Sequence, residues 1–201
     1  MEFRVEEHKI IPVAVLNNEA EAEEALYCLS EGGIKSIEIT FRTAYAKTAI
    51  AYAVKNYPDM VVGAGTVINA EQCEAAIEAG AKFIVGPGFS KSVADCCQKA
   101  GVPYIPGVVT PTEIIAALEC GLKVLKFFPF GAFGGTATTD ALKGPFPDVK
   151  FVVTGGVDGD SFVSVLQKPN IVSVGGSWML KGSKEEKLQK VREARAKIDA
   201  L

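Results

Sequence analysis

The feature that most constrains this chain is a seven-residue segment that occurs three times, each closing one run of residues and opening the next. The copies are Glu31-Gly32-Gly33-Ile34-Lys35-Ser36-Ile37, Glu78-Ala79-Gly80-Ala81-Lys82-Phe83-Ile84 and Glu119-Cys120-Gly121-Leu122-Lys123-Val124-Leu125. Each ends an amphipathic, helix-period run on glycine and starts a β-rich run. Strand-like segments near 10–16, 34–40, 60–64, 82–86, 103–106, 123–128, 150–153 and 171–175 alternate with helical patterns such as 19–31, 70–79, 111–119 and 183–200. That alternation builds βα units around a parallel sheet. Eight units in 201 residues leave about 25 residues each, enough for a compact single (β/α)8 TIM barrel of the α/β class, eight parallel strands with outer helices. No linker-like tract divides the chain, so 1–201 reads as one domain.

The repeat also aligns side chains. Its copies introduce the second, fourth and sixth strands, and the residues that follow, Glu38, Val85 and Lys126, therefore stand at equivalent positions. Alternate strands of a barrel feed one interior layer. Glu38 and Lys126 are expected to point inward at one height, from opposite walls, close enough to meet.

Composition narrows the chemistry. The one histidine, His8, precedes the first strand, which closes mechanisms that need several imidazoles. Five cysteines, Cys28, Cys73, Cys96, Cys97 and Cys120, lack C-x-x-C spacing and read as reduced packing residues, so no metal is expected. A net charge of -3 leaves no basic surplus for nucleic acid. No apolar run approaches the roughly 20 residues of a membrane-spanning helix. The charged start, MEFRVEEHKI, has no signal-peptide pattern, and a cytoplasmic location is expected.

Lysine and carboxylate chemistry remains. Lys126 lies between Leu125 and Phe127, where burial disfavours an ammonium. A neutral amine attacks a ketone to give a Schiff base, which stabilises the adjacent carbon as an enamine. The plainer reading is a strand-end lysine whose head reaches water. Glu38, sharing a strand face with Thr40 and Arg42, either shuttles protons for such an amine or simply pairs with it. Arg42 can fork onto a substrate carboxylate or form a surface ion pair. Two glycine turns, Thr154-Gly155-Gly156 and Gly175-Gly176-Ser177, follow the last two strands. Such turns are either plain reversals or places where backbone N–H groups approach a phosphate. Gly63-Ala64-Gly65-Thr66 offers a third close approach, with a hydroxyl.

Taken together, E-I-T-F-R-T (38–43), G-A-G-T-V (63–67), P-G (87–88), P-G-V-V-T-P-T-E (106–113), L-K-F-F-P (125–129), K-G-P-F-P (143–147), T-G-G-V (154–157) and G-G-S-W (175–178) carry a resemblance over nearly the whole chain. The sequence resembles the class I 2-keto-3-deoxy-6-phosphogluconate / 2-keto-4-hydroxyglutarate aldolases. The resemblance implies a homotrimeric barrel that uses no metal or cofactor, only a covalent imine on Lys126, and cleaves a 2-keto-4-hydroxy acid to pyruvate and an aldehyde. It implies Glu38 as acid/base, Arg42 and Thr66 at the pyruvyl carboxylate, and Pro87 and Phe128 as pocket walls. Thr154, Gly155, Gly156, Gly176 and Ser177 fall at the acceptor and phosphate end.

Departures from the family pattern are Phe130-Gly131 where Ala-Glu is usual, Gly86 where Ser is usual, Val153 where Pro is usual, and Asn17-Asn18 where many members have a basic residue. The expectation they raise is an acceptor pocket made bulkier by Phe130 and less cationic by Asn17. The other readings are the usual substrate with tolerated variants, a phosphate-binding barrel isomerase or epimerase that needs no Lys126, and a silenced barrel used as an assembly block.

Overall fold

The structure is a computed structural model describing residues 3–201. Its strands are β1 (Ile10–Ala14), β2 (Ser36–Thr40), β3 (Val61–Gly65), β4 (Ile84–Val85), β5 (Tyr104–Ile105), β6 (Gly107–Val108), β7 (Val124–Phe127), β8 (Lys150–Thr154) and β9 (Ile171–Gly176). All pairings are parallel, in the order β5-β4-β3-β2-β1-β9-β8-β7-β6. The two ends of that order, β5 and β6, are halves of one segment joined through Pro106, so the sheet closes into a barrel. The fifth strand expected from the sequence is thus broken in two. Proline has no N–H to donate to a ladder, while its carbonyl still accepts the Lys126 N–H at 2.7 Å.

Helices α1 (Glu19–Glu31), α2 (Ala46–Asn56), α3 (Ala70–Glu78), α4 (Lys91–Ala100), α5 (Pro111–Glu119), α6 (Gly135–Leu142), α7 (Phe162–Leu166) and α8 (Lys184–Asp199) pack outside. Their starts follow capping chemistry: Asn18 accepts the Glu21 N–H, and Thr110 with Glu113 and Ser183 with Glu186 form reciprocal capping boxes. Their ends explain the repeat. Gly33, Gly80 and Gly121 have φ of 81°, 98° and 75°, the left-handed region that a residue with a Cβ resists. In each copy the following N–H reaches back five residues: Ile34 to Leu29, Ala81 to Ala76 and Leu122 to Ala117, at 2.9, 3.0 and 3.1 Å. A fourth closure of the same form, Val102 N–H to the Cys97 carbonyl at 3.0 Å after Gly101, ends α4 without the flanking Glu and Lys.

Strand alternation divides the apolar residues into two cores. Ile10, Ala14, Ile37, Ile39, Leu125, Phe127, Phe151 and Val153 face the helices. Ile11, Phe83, Val85, Ile105 and Val152 fill the interior of the barrel, joined by Val5 from the short 3-10 helix Val5–Glu7. The Phe3 ring stacks on Phe83 at 4.2 Å, which seals the N-terminal end of the barrel. Glu38, Thr40, Lys126 and Thr154 are buried toward the upper, C-terminal half, while Ser36 and Ser173 lie lower and donate to the Ile10 and His8 carbonyls.

Glycines inside the barrel provide room for those side chains. A methyl at Gly63 would overlap the Phe83 ring, and one at Gly65 would overlap the Glu38 carboxylate. Gly65→Ala should therefore destabilise the fold by about 1–3 kcal/mol, the usual cost of overpacking. Gly88→Ala, with nothing within 4 Å of its added methyl, should stay within about 0.5 kcal/mol of the parent. Urea unfolding midpoints of the two variants check the contrast.

Candidate active site

Lys126 on β7 and Glu38 on β2 meet inside the barrel, Nζ to Oε1 at 3.4 Å. Their residues are 4% and 2% exposed, so both charges are withdrawn from bulk water. The equivalence of repeat positions holds: the third member of the set, Val85, is buried in the same interior core. Register explains the geometry. Glu38 lies opposite Val13 on one side and Gly63 on the other, and Lys126 lies between Gly107 and Val152, so apolar or small neighbours leave the two long side chains to fill the centre. A separation of 3.4 Å is longer than the roughly 2.7–2.9 Å of a tight charge-assisted bond. The amine is paired without being clamped. The Phe128 ring centroid lies 5.2 Å from Nζ and forms an apolar wall beside it.

Above the pair opens a cavity of about 350 Å³, lined by Lys126, Arg42, Phe128, Thr154, Gly155, Gly156, Gly176 and Ser177 together with Val13, Val15, Asp158, Trp178 and Lys181 among others. Arg42, just past the end of β2, is exposed and donates from Nε to the Thr66 hydroxyl at 3.1 Å. Thr66 has a φ of 57°, a conformation rare for a residue with a side chain and one that costs on the order of 1–3 kcal/mol. That strained turn places a hydroxyl against the guanidinium. Thr154 is 4% exposed, and among the described residues its Oγ1 has no hydrogen-bond partner. A buried hydroxyl left unpaired beside a cavity is a place for a ligand oxygen.

The glycine turns serve packing as well as access. Gly155 and Gly156 have φ of 83° and 97°. A side chain on Gly155 would press on Phe128 and Pro129, and Gly156 abuts Gly131 of the loop after β7. Gly176 leaves room for the Trp178 ring. Ser177 is exposed at the mouth. Pro87 stands at the end of β4, its carbonyl so close to Gly107 that a methyl there would overlap it, and it adjoins the cavity without lining it. The hydroxyl of Tyr104 holds this Gly86–Gly88 turn, donating to the Gly88 carbonyl at 3.1 Å and accepting the Ser90 N–H at 3.3 Å. A Cβ at Gly86 would come within 2.7 Å of that hydroxyl. A side chain at this position would crowd the tyrosine oxygen from the next strand and the Gly88 carbonyl. Burial pushes the phenol well above its ordinary value and keeps it a neutral donor.

One expectation about the mouth is corrected. Phe130 does not enlarge an aromatic pocket surface: it is 4% exposed, its ring packs edge-on against Phe127 in the outer core, and its N–H donates to the Thr154 carbonyl at 2.8 Å. Val153 likewise faces the helices, fully buried. Asn17 turns away into the start of α1, donating twice to Glu21. What sequence reasoning missed is Lys181, which enters the cavity lining from beyond the 3-10 helix Trp178–Leu180. No local pattern marks it, because its place depends on a turn whose direction is set by tertiary packing. Val13 and Val15 were accessible from the period-2 alternation of β1.

The aldolase family described as KDPG and KHG aldolase matches residues 1–194. The 2-dehydro-3-deoxy-phosphogluconate aldolase of Treponema pallidum is 43% identical over 176 residues, 88% of this chain and 84% of the relative. The 2-keto-3-deoxy-6-phosphogluconate aldolase of Zymomonas mobilis, solved with 3-phosphoglycerate, superposes with a TM-score of 0.90 at 33% identity, covering 96% of this chain and 93% of its own. A KDPG aldolase from Legionella pneumophila, with pyruvate captured as a covalent carbinolamine intermediate, superposes with a TM-score of 0.87 at 34% identity, over 98% and 95% of the two chains.

Tyr104→Phe should cost about 1 kcal/mol, one lost hydrogen-bonding group in a partly accessible turn. It should also raise amide hydrogen exchange at Ser90, whose N–H loses its acceptor. Denaturant melts and exchange mass spectrometry of the 86–93 segment measure both.

Proposed function

This chain belongs to the KDPG and KHG aldolase family, and on that premise we propose how its own side chains carry the reaction of a class I, pyruvate-dependent aldolase. It is a lyase that cleaves 2-keto-3-deoxy-6-phosphogluconate to pyruvate and glyceraldehyde 3-phosphate. The observation that carries the residue assignment is the buried Lys126 amine with one carboxylate, Glu38, within 3.4 Å.

Glu38 takes a proton from the Lys126 head group, the freed amine attacks the C2 ketone, and Glu38 returns that proton to the ketone oxygen to give the carbinolamine. Glu38 then takes a second proton from the attacking nitrogen and gives it to the carbinolamine hydroxyl, which departs as water and leaves an iminium. Removal of the proton from the C4 hydroxyl breaks the C3–C4 bond; its electrons flow into the iminium, giving an enamine and the free aldehyde. Protonation at C3 and attack of water on the imine release pyruvate and restore the amine. Each transfer needs a group that alternates between acid and base at one place. The Glu38 carboxyl, beside the amine and shielded from solvent, fits that demand.

Arg42 and Thr66, joined through a hydrogen bond of 3.1 Å, hold the keto-acid carboxylate, with Phe128 confining the reacting carbons. The unpaired Thr154 hydroxyl meets a substrate oxygen near the bond that breaks. Gly155, Gly156, Gly176 and Ser177 present backbone and hydroxyl groups to the distal end. The imine on Lys126 serves in place of a cofactor. No cluster of metal-ligating side chains occurs among the described residues, and no helix there is long and apolar enough to cross a membrane. The same reading carries small-molecule partners, a homotrimeric assembly and a cytoplasmic location. Light scattering that returned the mass of one chain would reject the trimer.

Incubation with pyruvate and borohydride should fix a reduced adduct that peptide mapping assigns to Lys126 and that Lys126→Ala abolishes. No adduct on the parent protein, or one elsewhere, contradicts the assignment and favours the isomerase reading. Glu38→Gln, nearly isosteric, should lower kcat by roughly 10²–10⁴. A kcat within threefold of the parent would remove Glu38 from the proton path.

A further inference from the structure

The cavity above Lys126 holds more positive charge than it balances. Glu38 is engaged with Lys126. Asp158, the acid in the lining, is exposed and turned into its own loop: its carboxylate accepts the Ser161 hydroxyl at 2.7 Å and the Ser161 and Asp160 N–H groups at 2.9 and 3.1 Å. These bonds hold it below the usual carboxylate range. Arg42 and Lys181 remain, and among the described residues neither has a carboxylate partner.

Lys181 is placed by backbone contacts, which leave its ammonium unengaged. Its N–H donates to the Trp178 carbonyl at 3.4 Å and its own carbonyl accepts from Lys190 Nζ at 2.8 Å. It stands at the seam between the cavity above Lys126 and a second cavity of about 460 Å³ toward α1 and α8, sharing that boundary with Val13, Val15 and Ser177. The acids of the second cavity are engaged too: Glu24 pairs with Lys187 at 2.6 Å, and Glu21 accepts from Asn17 and Asn18. Arg42 follows β2 and Lys181 follows β9, the two neighbours of β1 in the sheet, so the two cations flank the valines at the end of β1. One cation lies on each side of a slot whose floor is the reactive amine.

We propose that Lys181 is the specificity-determining cation for the distal end of the substrate, holding the anionic group that the departing aldehyde carries. The proposal rests on the aldolase reading and deepens it. An ammonium with no partner, beside the exposed Ser177 hydroxyl, suits a phosphate monoester or a carboxylate and gives nothing to an uncharged hydroxymethyl end. It also answers the Asn17 departure: the positive charge at the mouth comes from the far end of the chain instead of the loop after β1. The second cavity leaves space beyond the seam for the bulk of a hydrated phosphate.

The test compares three keto acids that share the reacting carbons and differ at the far end: 2-keto-3-deoxy-6-phosphogluconate, 2-keto-4-hydroxyglutarate and unphosphorylated 2-keto-3-deoxygluconate. In Lys181→Met, the kcat/KM ratio of the phosphorylated to the unphosphorylated acid should fall about tenfold or more, the loss entering through KM, as expected when a charged hydrogen bond is removed. Lys181→Arg should recover most of that ratio. A parallel fall with the dicarboxylic acid assigns the cation to anions in general; a fall with the phosphate alone assigns it to phosphate, and either supports the proposal. An unchanged ratio in Lys181→Met overturns it. Inorganic phosphate binding, measured by calorimetry, separates this idea from the reaction itself and should weaken about tenfold in Lys181→Met. If the parent protein forms no pyruvate adduct yet phosphate binding shows that loss, the aldolase assignment fails and the Lys181 site stands. If the adduct forms and phosphate binding is unmoved, the Lys181 site fails alone.

Discussion

An ion pair taken out of water inside a closed barrel is the constraint on which the remainder of this structure depends. Withdrawing a carboxylate and an amine from solvent costs several kcal/mol per group unless each has a partner. Among the described residues, the fold offers each only the other, at 3.4 Å. Keeping them together requires that strands on opposite walls deliver them at one height, that Gly65 carry no side chain where the carboxylate lies, and that the lower half of the barrel be filled with apolar groups. Phe83, Val85, Ile105 and the Phe3 ring meet the last requirement and leave only the upper end open. The same burial that costs stability sets an amine beside a proton acceptor away from bulk water.

Much of this was legible in the primary structure because the repeat is a physical device. The glycine of each copy turns left-handed to close a helix, so it fixes the distance to the inward-facing residue five positions on. Glu38 and Lys126 could be paired across the barrel without knowing any contact. The bounds of α1 and α5 were equally readable, since Asn18 and Thr110 supply caps and glycine closures follow.

What was illegible depended on neighbours distant in the chain. The fifth strand breaks at Pro106, which reads as an ordinary strand end until the missing N–H is set against the closing seam of the sheet. Phe130 looked like pocket surface because it follows a catalytic motif. A backbone bond to Thr154 instead turns it under the loop and into the outer core. Lys181 is the converse case, an unremarkable lysine in the sequence that a short 3-10 helix brings to the mouth. Gly86 likewise acquires meaning only when the Tyr104 hydroxyl is seen in the space beside it.

The enamine carbon is the centre of the chemistry, and it can be observed without any aldehyde. Pyruvate held as an imine on Lys126 should exchange its methyl hydrogens for deuterium in heavy water, seen by proton NMR as loss of the methyl signal. The exchange should be fast with the parent protein, much slower with Glu38→Gln and absent with Lys126→Ala. Exchange that persists undiminished in Lys126→Ala, or never occurs with the parent protein, would contradict the proposal that the buried amine forms the nucleophilic intermediate.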